Sequence, residues 1–469
     1  MTAKIKISRR DFLKASSAIA AGTLLAGCAP KVVTQMVTVK ETVEVPVQQT
    51  VAVPQTQIVK ETVQVQQTVE VQQTVEVQEQ KPDKLVFWHM YFDDDASKGR
   101  VIKDFAGTFQ STTGITVELS QIAWGDHITR MNTVGAAKDK IPDTYISGLA
   151  RPGLQSMVDG GFTMPLDGLL TADDLAQYQP SLLDACKFNG KIYALPQEAQ
   201  IFGFLYNMKV FEDLGLSEPT TLDELEAGMD KMVAKGIVPL GVVGAAGTFA
   251  AEWLTHSLGA RAATQAQMDD ITAGKAKFSD KFLVVEETME RWGKKGYYGN
   301  VLTNDWGPEV IAMHDGKTAM MCMGIFFAAE TKGQFKEEDL KYGILVPPPL
   351  ASGVPKQIGG GLWWGVSVNQ NTDNPAWATR LAVAMSGKGF SEQWVRRTDN
   401  PVGGAVDPAN ITWTTLKRCY EILADHAVTW LNIPSKISSD FDGIQTKLVA
   451  NEVTAKEAAD QIDALFASL

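Results

Sequence analysis

Between Lys84 and Ile146, short apolar runs alternate with amphipathic stretches in an order that few folds accept. Lys84-Leu-Val-Phe-Trp88 reads as a strand that exits through polar Tyr91 to Asp95. Val101, Ile102, Phe105 and Phe109 recur at helical spacing, which predicts a helix from Ala96 to Thr112, ended by Gly114. Ile115-Thr-Val-Glu-Leu119 is a second strand, Asp126 to Ala137 a second amphipathic helix, and Pro142 to Ile146 a third short strand. Strand, helix, strand, helix, strand at this spacing predicts α/β architecture, a parallel sheet with helices on both faces. Ligands of such sheets sit beyond the carboxyl ends of the strands, so the chain exits near Tyr91, Trp124 and Gly148 to Arg151 become candidate contacts.

Ahead of this sheet the chain lacks the means to build a core. From Lys31 to Lys81 it repeats a six-residue unit: Lys40-Glu-Thr-Val-Glu-Val45, Gln48-Gln-Thr-Val-Ala-Val53, Lys60-Glu-Thr-Val-Gln-Val65, then Gln-Gln-Thr-Val-Glu-Val twice over 66–77. Valine alternates with polar residues at a strand period, but no aromatic side chain occurs and Pro46 and Pro54 interrupt the pattern. Residues 28–82 are therefore expected to form an extended, disordered stalk; a solenoid or self-pairing ribbon would ask for glycine corners that the stretch lacks. Upstream, Ser8-Arg9-Arg10-Asp11-Phe12-Leu13-Lys14 and the apolar run to Ala26 read as a twin-arginine export signal, too short to span a bilayer. Leu25-Ala26-Gly27-Cys28 resembles the bacterial lipobox, which implies removal of residues 1–27 and a lipid on Cys28.

A chain of 469 residues exceeds what one core organises, so two lobes are expected. A net charge of −12 without a basic run argues against nucleic acid. With Cys28 used by lipid, Cys186, Cys322 and Cys419 are an odd set without CxxC spacing; three buried thiols are expected, with one disulfide left open. His89, His127, His256, His314 and His426 stand singly, and no metal or cofactor is expected.

A series of blocks runs through the rest. Phe188-Asn-Gly-Lys-Ile-Tyr-Ala-Leu-Pro196 leads through Gln197 and Glu198 to Tyr206-Asn207. Phe211 to Leu216 and Pro219 to Leu225 follow, with Thr221 and Glu224 as a capping box. Then come His314-Asp-Gly-Lys-Thr-Ala-Met320 with Gly324, Val346-Pro-Pro-Pro349, Gly359-Gly-Gly-Leu-Trp-Trp-Gly365, Pro401-Val-Gly-Gly404, Ile433-Pro434 and a closing helix from Thr454 to Ile462. In this order they resemble the extracellular solute-binding lipoproteins of ABC sugar importers, family 1, maltodextrin-binding type.

That resemblance implies a two-lobe periplasmic-binding-protein fold of type II, hinged lobes each with a central sheet flanked by helices. The first lobe would comprise 83–196 plus about 305–358, the second about 197–304 plus 359–469, with chain crossings near Leu195–Phe202, Val301–Asp305 and Gly359–Trp364. It also implies a monomeric binding protein, not an enzyme. Held by lipid outside the cytoplasmic membrane, at the cell surface or in a periplasm, it would capture a mono- or oligosaccharide and deliver it to an ABC permease with its ATPase. In the family the position after the Gly324 block often carries an aromatic platform, here Phe326 or Phe327.

A sugar offers apolar C–H faces and a rim of hydroxyls, so its receptor needs flat rings beside carboxylates and amides. All eleven tryptophans lie in the body. Trp124, Trp306, Trp363 and Trp364 are flanked by glycine or polar residues that suit loops, whereas Trp88, Trp292, Trp377 and Trp430 sit in apolar or helical contexts that suit a core. Gln197 and Glu198 stand at the first crossing, where a carboxylate could bridge two hydroxyls or form a hinge salt bridge. Asp93 faces the cleft or caps the next helix; Asp305 beside Trp306 and Glu252 beside Trp253 pair an acid with an aromatic ring. Arg151 and Arg397 are the loop arginines near the rim, and Gly359 to Gly361 allow either a close approach of the backbone to the ligand or a tight turn. The rival readings are a non-sugar solute such as a polyol phosphate or polyamine, and an exported glycosidase working through Glu198 and Asp305.

Overall fold

The computed structural model describes residues 33–47, 63–77, 80–91, 98–122, 124–148, 150–244, 249–336 and 340–469. The chain divides into two units, Met1–Lys81 and Pro82–Leu469. In the first, β1 (Val33–Val47) and β2 (Val63–Val77) pair antiparallel, from Val33 opposite Val77 to Val47 opposite Val63. The extended backbone expected of a stalk is present, but it pairs as a ribbon without the glycine corners that such a ribbon was expected to need. Pro46 is tolerated because each strand of a two-stranded sheet is an edge. Two strands alone are at best marginally stable in water. The export signal and Cys28 lie outside the described residues.

The second unit begins as the periodicity predicts. β3 (Lys84–His89) pairs parallel with β4 (Thr116–Gln121) and β5 (Thr144–Ser147). Between them run α1 (Lys98–Thr113) and α2 (Trp124–Ala136), and α3 (Ala150–Asp159) follows. α1 buries Val101, Ile102, Ala106 and Phe109, the stripe that sets its period. Every residue of β3 after Lys84 is buried, which is why it reads as a continuous apolar run.

A hairpin of β6 (Lys187–Phe188) and β7 (Lys191–Ile192) leads into β8 (Leu195–Asn207), buried along its whole length. β9 (Val238–Gly241) precedes α4 (Phe249–Gly259) and α5 (Ser279–Lys294); α6 (Trp306–His314) precedes β10 (Thr318–Gly324), α7 (Ile325–Phe335) and β11 (Tyr342–Leu345). β12 (Gln357–Val368) is the second long strand. α8 (Pro375–Ala384), α9 (Lys388–Thr398), β13 (Ala427–Thr429) and α10 (Ser435–Val449) follow. The nine strands form one sheet, β4-β3-β5-β12-β8-β10-β9, with β11 added to β8 and β13 to β12.

β8 and β12 are the shared elements of the two lobes. Gly365–Val368 of β12 pair with β5, while its Gln357–Gly359 pair with β13. Likewise Leu195 and Pro196 of β8 meet the β5 end of β12, and Phe202–Tyr206 meet β10. The crossings expected at Leu195–Phe202 and Gly359–Trp364 are these strands.

The lobe boundaries differ from the expected ones. Residues 305–358 go with the second lobe, because β10 pairs with β8 and β9 and α6 packs on β10. Conversely α8 packs on β5 and α9 on α1, returning roughly 365–398 to the first lobe. The third crossing is not at 301–305, where Val301 accepts a hydrogen bond from Gly244 N at 3.2 Å within the second lobe. It runs between α9, which packs on α1, and the helix Thr414–Asp425, which packs on β11.

Thr221 caps its helix in the predicted reciprocal box with Glu224. Gly360 adopts φ +144°, and a Cβ there would collide with the carbonyl oxygen of Gln200, so the glycine run makes no tight turn: it lies within β12 and lets that strand approach β8 closely. Cys186, Cys322 and Cys419 are buried. Among the described residues no helix is long and apolar enough to cross a membrane, and no group of three or more His, Cys, Asp or Glu could hold a metal ion.

Candidate functional site

Successive side chains of a strand point to opposite faces, and along β8 this separates Gln197 from Glu198. Gln197 turns into the packing of the first lobe, fully buried, its Nε2 donating to the Met385 carbonyl at 3.0 Å. Glu198, Gln200 and Phe202 share the other face. Gln200 Nε2 donates to Glu198 Oε1 at 2.8 Å, and Tyr91 OH donates to Glu198 Oε2 at 3.3 Å. Gln200 Oε1 accepts from the Phe326 backbone N–H at 3.4 Å, tying this polar end to the start of α7. Lys98 Nζ lies 5.5 Å from the centre of the Tyr91 ring, a cation–π arrangement.

Phe202 is fully buried at the base of a ring cluster. Trp253, Trp363 and Trp430 have centroids 5.3, 5.3 and 5.2 Å from it. Phe326 is nearly parallel to Trp306, at 6.2 Å and 8°, and to Trp363, at 6.4 Å and 15°. Trp253 stands across both Phe326 and Trp363, at 81° and 70°, so the rings make a floor and a wall. Trp253, Trp306, Phe326, Trp363 and Trp430 are each half-buried, leaving ring surface open for a partner.

Local structure explains how these rings arrive. Trp306 is the first residue of α6, and the carboxylate of Asp305 caps that helix by accepting from the Trp306 N–H at 2.7 Å. Trp253 is the fifth residue of α4, and Phe326 lies in the first turn of α7. In β12 the register breaks between Leu362 and Trp364, so Trp363 has no cross-strand partner. A bulge re-aims a side chain, and here one indole enters the cluster while the next, Trp364, stays buried and supports it edge-on at 6.2 Å.

Below Trp430 lies His256, its imidazole stacked on the indole at 3.6 Å and 19°. Its Nε2 is 3.0 Å from Glu252 Oε1. Burial holds this imidazole neutral, pushing its pKa down to about 3, and burial raises the Glu252 carboxyl above its ordinary value against a hydrogen bond with Asp442 that lowers it.

Of the candidates read from sequence, the structure brings together Tyr91, Glu198, Trp253, Trp306, Phe326 and Trp363, with Trp364 behind them. Gln197 and Arg397 are not among them: the Arg397 guanidinium joins Asp104 at 2.7 Å across α9 and α1. Asp305 is exposed and engaged as a cap. Asp93 and the side chains of Trp124 and Arg151 lie outside the described residues. Sequence reasoning missed Lys98, Gln200, Phe202 and Trp430. The strand alternation from Glu198 would have found Gln200 and Phe202; Trp430 was read as core from its apolar neighbours, and Lys98 carried no signal.

The sequence model of the bacterial extracellular solute-binding proteins matches residues 93–390, and that of twin-arginine translocation signals matches residues 6–26. The maltotriose-binding protein of Pyrococcus abyssi is 25% identical over 218 residues, 45% of this chain and 42% of that protein, so the chain spans less than half of that relative's length. The multiple sugar-binding protein of Streptococcus mutans is 21% identical over 400 residues, 83% of this chain and 91% of that one. A solved structure from work on xylan utilization by Caldanaerobius polysaccharolyticus superposes with a TM-score of 0.72 at 19% identity, covering 81% of this chain and 99% of that one. At that identity the likeness establishes the two-lobe fold.

Proposed function

This chain belongs to the family of bacterial extracellular solute-binding proteins, and on that premise we propose that it captures a carbohydrate between its lobes and hands it unaltered to an ABC permease and its ATPase. The observation that carries the reading is the face of β8: a carboxylate and an amide, Glu198 and Gln200, continuous with five half-open aromatic rings around Phe202. Rings match the C–H faces of a pyranose, and the buried acid matches vicinal hydroxyls through charge-assisted hydrogen bonds. The names of the two sequence relatives point to sugar as well.

Binding without turnover is supported by the fate of Asp305, the carboxylate that could have joined Glu198 as a hydrolytic pair, which is committed to the end of α6. The export signal places the protein outside the cytoplasm. We further assign lipid attachment to Cys28, the ribbon segment as the tether, and the monomer as the working unit.

Titration of intrinsic tryptophan fluorescence with mono- and oligosaccharides, polyols and polyamines tests this reading. A saturable response to a carbohydrate, recovered intact, is expected. A response to polyamine alone, or cleavage of the sugar, would sink it.

A further inference from the structure

Trp430 is the ring of the cluster with the most constrained neighbour. Its stack on His256 at 3.6 Å and 19° is face to face, whereas its other ring neighbour, Phe202, is tilted 51° at 5.2 Å. The backbone of Trp430 is clamped separately: Gln265 Oε1 accepts from its N–H at 2.9 Å, and Gln265 Nε2 donates to its carbonyl at 3.1 Å. With the main chain fixed and the side chain half-buried, the indole plane is left to His256 and Phe202.

His256 is itself immobile. It is 1% exposed, bonded to Glu252 through Nε2, and its Nδ1 has no partner among the described residues. Burying a nitrogen unsatisfied is a costly way to fill space. What the imidazole offers over a hydrocarbon is a ring whose rotation is fixed by a hydrogen bond. Its carbonyl also faces Gly359 of β12, where an added Cβ would stand 3.0 Å away, so α4 is seated directly on the crossing strand.

We propose that His256 is a positioning residue, pinned by Glu252, that sets the plane of Trp430 as a stacking surface for the sugar and references that plane to the crossing strand β12. The inference rests on the carbohydrate reading above.

The test is a double-mutant cycle by calorimetric titration, using the oligosaccharide that gives the strongest fluorescence response, with thermal unfolding in parallel. His256→Ala is expected to weaken binding about tenfold. His256→Phe, which keeps a flat ring but loses the bond to Glu252, recovers part of that loss and falls between the parent and His256→Ala. Trp430→Ala costs as much as His256→Ala, and the double variant is no worse than Trp430→Ala alone, because both changes remove one stacked surface. If the alanine variant does not fold, His256→Gln replaces it, keeping the bond to Glu252 without the ring. A merely structural histidine would lower the melting temperature yet give additive losses in the cycle, or would show no rescue by phenylalanine; either result overturns the proposal. Harmless Trp430→Ala together with a damaging Trp363→Ala would end this inference and spare the sugar reading, whereas no carbohydrate response in the parent protein would end that reading itself.

Discussion

Glu198 and Glu286 are both buried carboxyls bonded to a glutamine amide, at 2.8 Å from Gln200 Nε2 and 2.9 Å from Gln445 Nε2. Their surroundings separate them. The second oxygen of Glu198 accepts from Tyr91, and half-open rings begin next to it at Phe326. Glu286 sits between α5 and α10, its Oε2 without a partner among the described residues, and burial pushes its pKa up to about 8. Depth of burial is thus the same in the acid proposed to face the ligand and in one sealed within a helical layer. What distinguishes the first is a filled second oxygen and an adjoining surface that a guest can still reach.

The largest effect expected from this contrast is on stability at Glu286. Its folded-state pKa is raised from 4.5 to about 8, so its contribution is fully present below pH 4.5 and is lost as pH rises toward 8. Each pH unit between the unfolded and folded titrations is worth about 1.4 kcal/mol, a few kcal/mol across that window. Glu286→Gln should remove this slope in urea unfolding measured from pH 5 to 8, leaving sugar affinity untouched. The new amide has an acceptor waiting, since Gln445 Oε1 is also without a partner among the described residues. A tenfold loss of affinity in this variant would erase the distinction between the two acids.

On the ligand side, Trp363→Ala should weaken sugar binding most, by ~30-fold or more, because it removes the ring that joins Phe326 to the wall formed by Trp253. Glu198→Gln should cost roughly tenfold, the difference between a charge-assisted and a neutral hydrogen bond, with a melting curve close to the parent's. Isothermal titration separates the two variants. If Glu198→Gln instead lowered stability and spared affinity, Glu198 would be the hinge strut and the polar end of the site would have to be moved.

How far the sequence could lead is clear from particular elements. Val101, Ile102 and Phe109 show α1 at its true period, and β3, β4 and β5 follow from local composition alone. The lobe boundaries do not, because β10 finds β8 more than a hundred residues back in the chain, and periodicity carries no information about which strand pairs with which. The site was half legible for a similar reason. Trp306 and Trp363 stood out by their polar and glycine neighbours, but it took the register break at Trp363 to tell it from Trp364. Trp430 looks like core in sequence, and only the pairing of β13 with the crossing strand brings it to Phe202.

The smallest effect belongs to the one basic candidate whose side chain is placed, and it bears on the rival cargo. A phosphorylated polyol would need a guanidinium at the site, which Arg151 or Arg397 would supply; of the two, only the side chain of Arg397 is described. It is bonded instead to Asp104 on the outside of the first lobe, with side chains 28% and 58% exposed. Exposed pairs of this kind contribute about 0–1 kcal/mol, so Arg397→Ala should leave affinity unchanged and shift unfolding only slightly, with a shift that shrinks as salt is added. A tenfold loss of affinity would bring this guanidinium to the cargo, and the anionic solute would then displace the neutral sugar as the better fit to the fold.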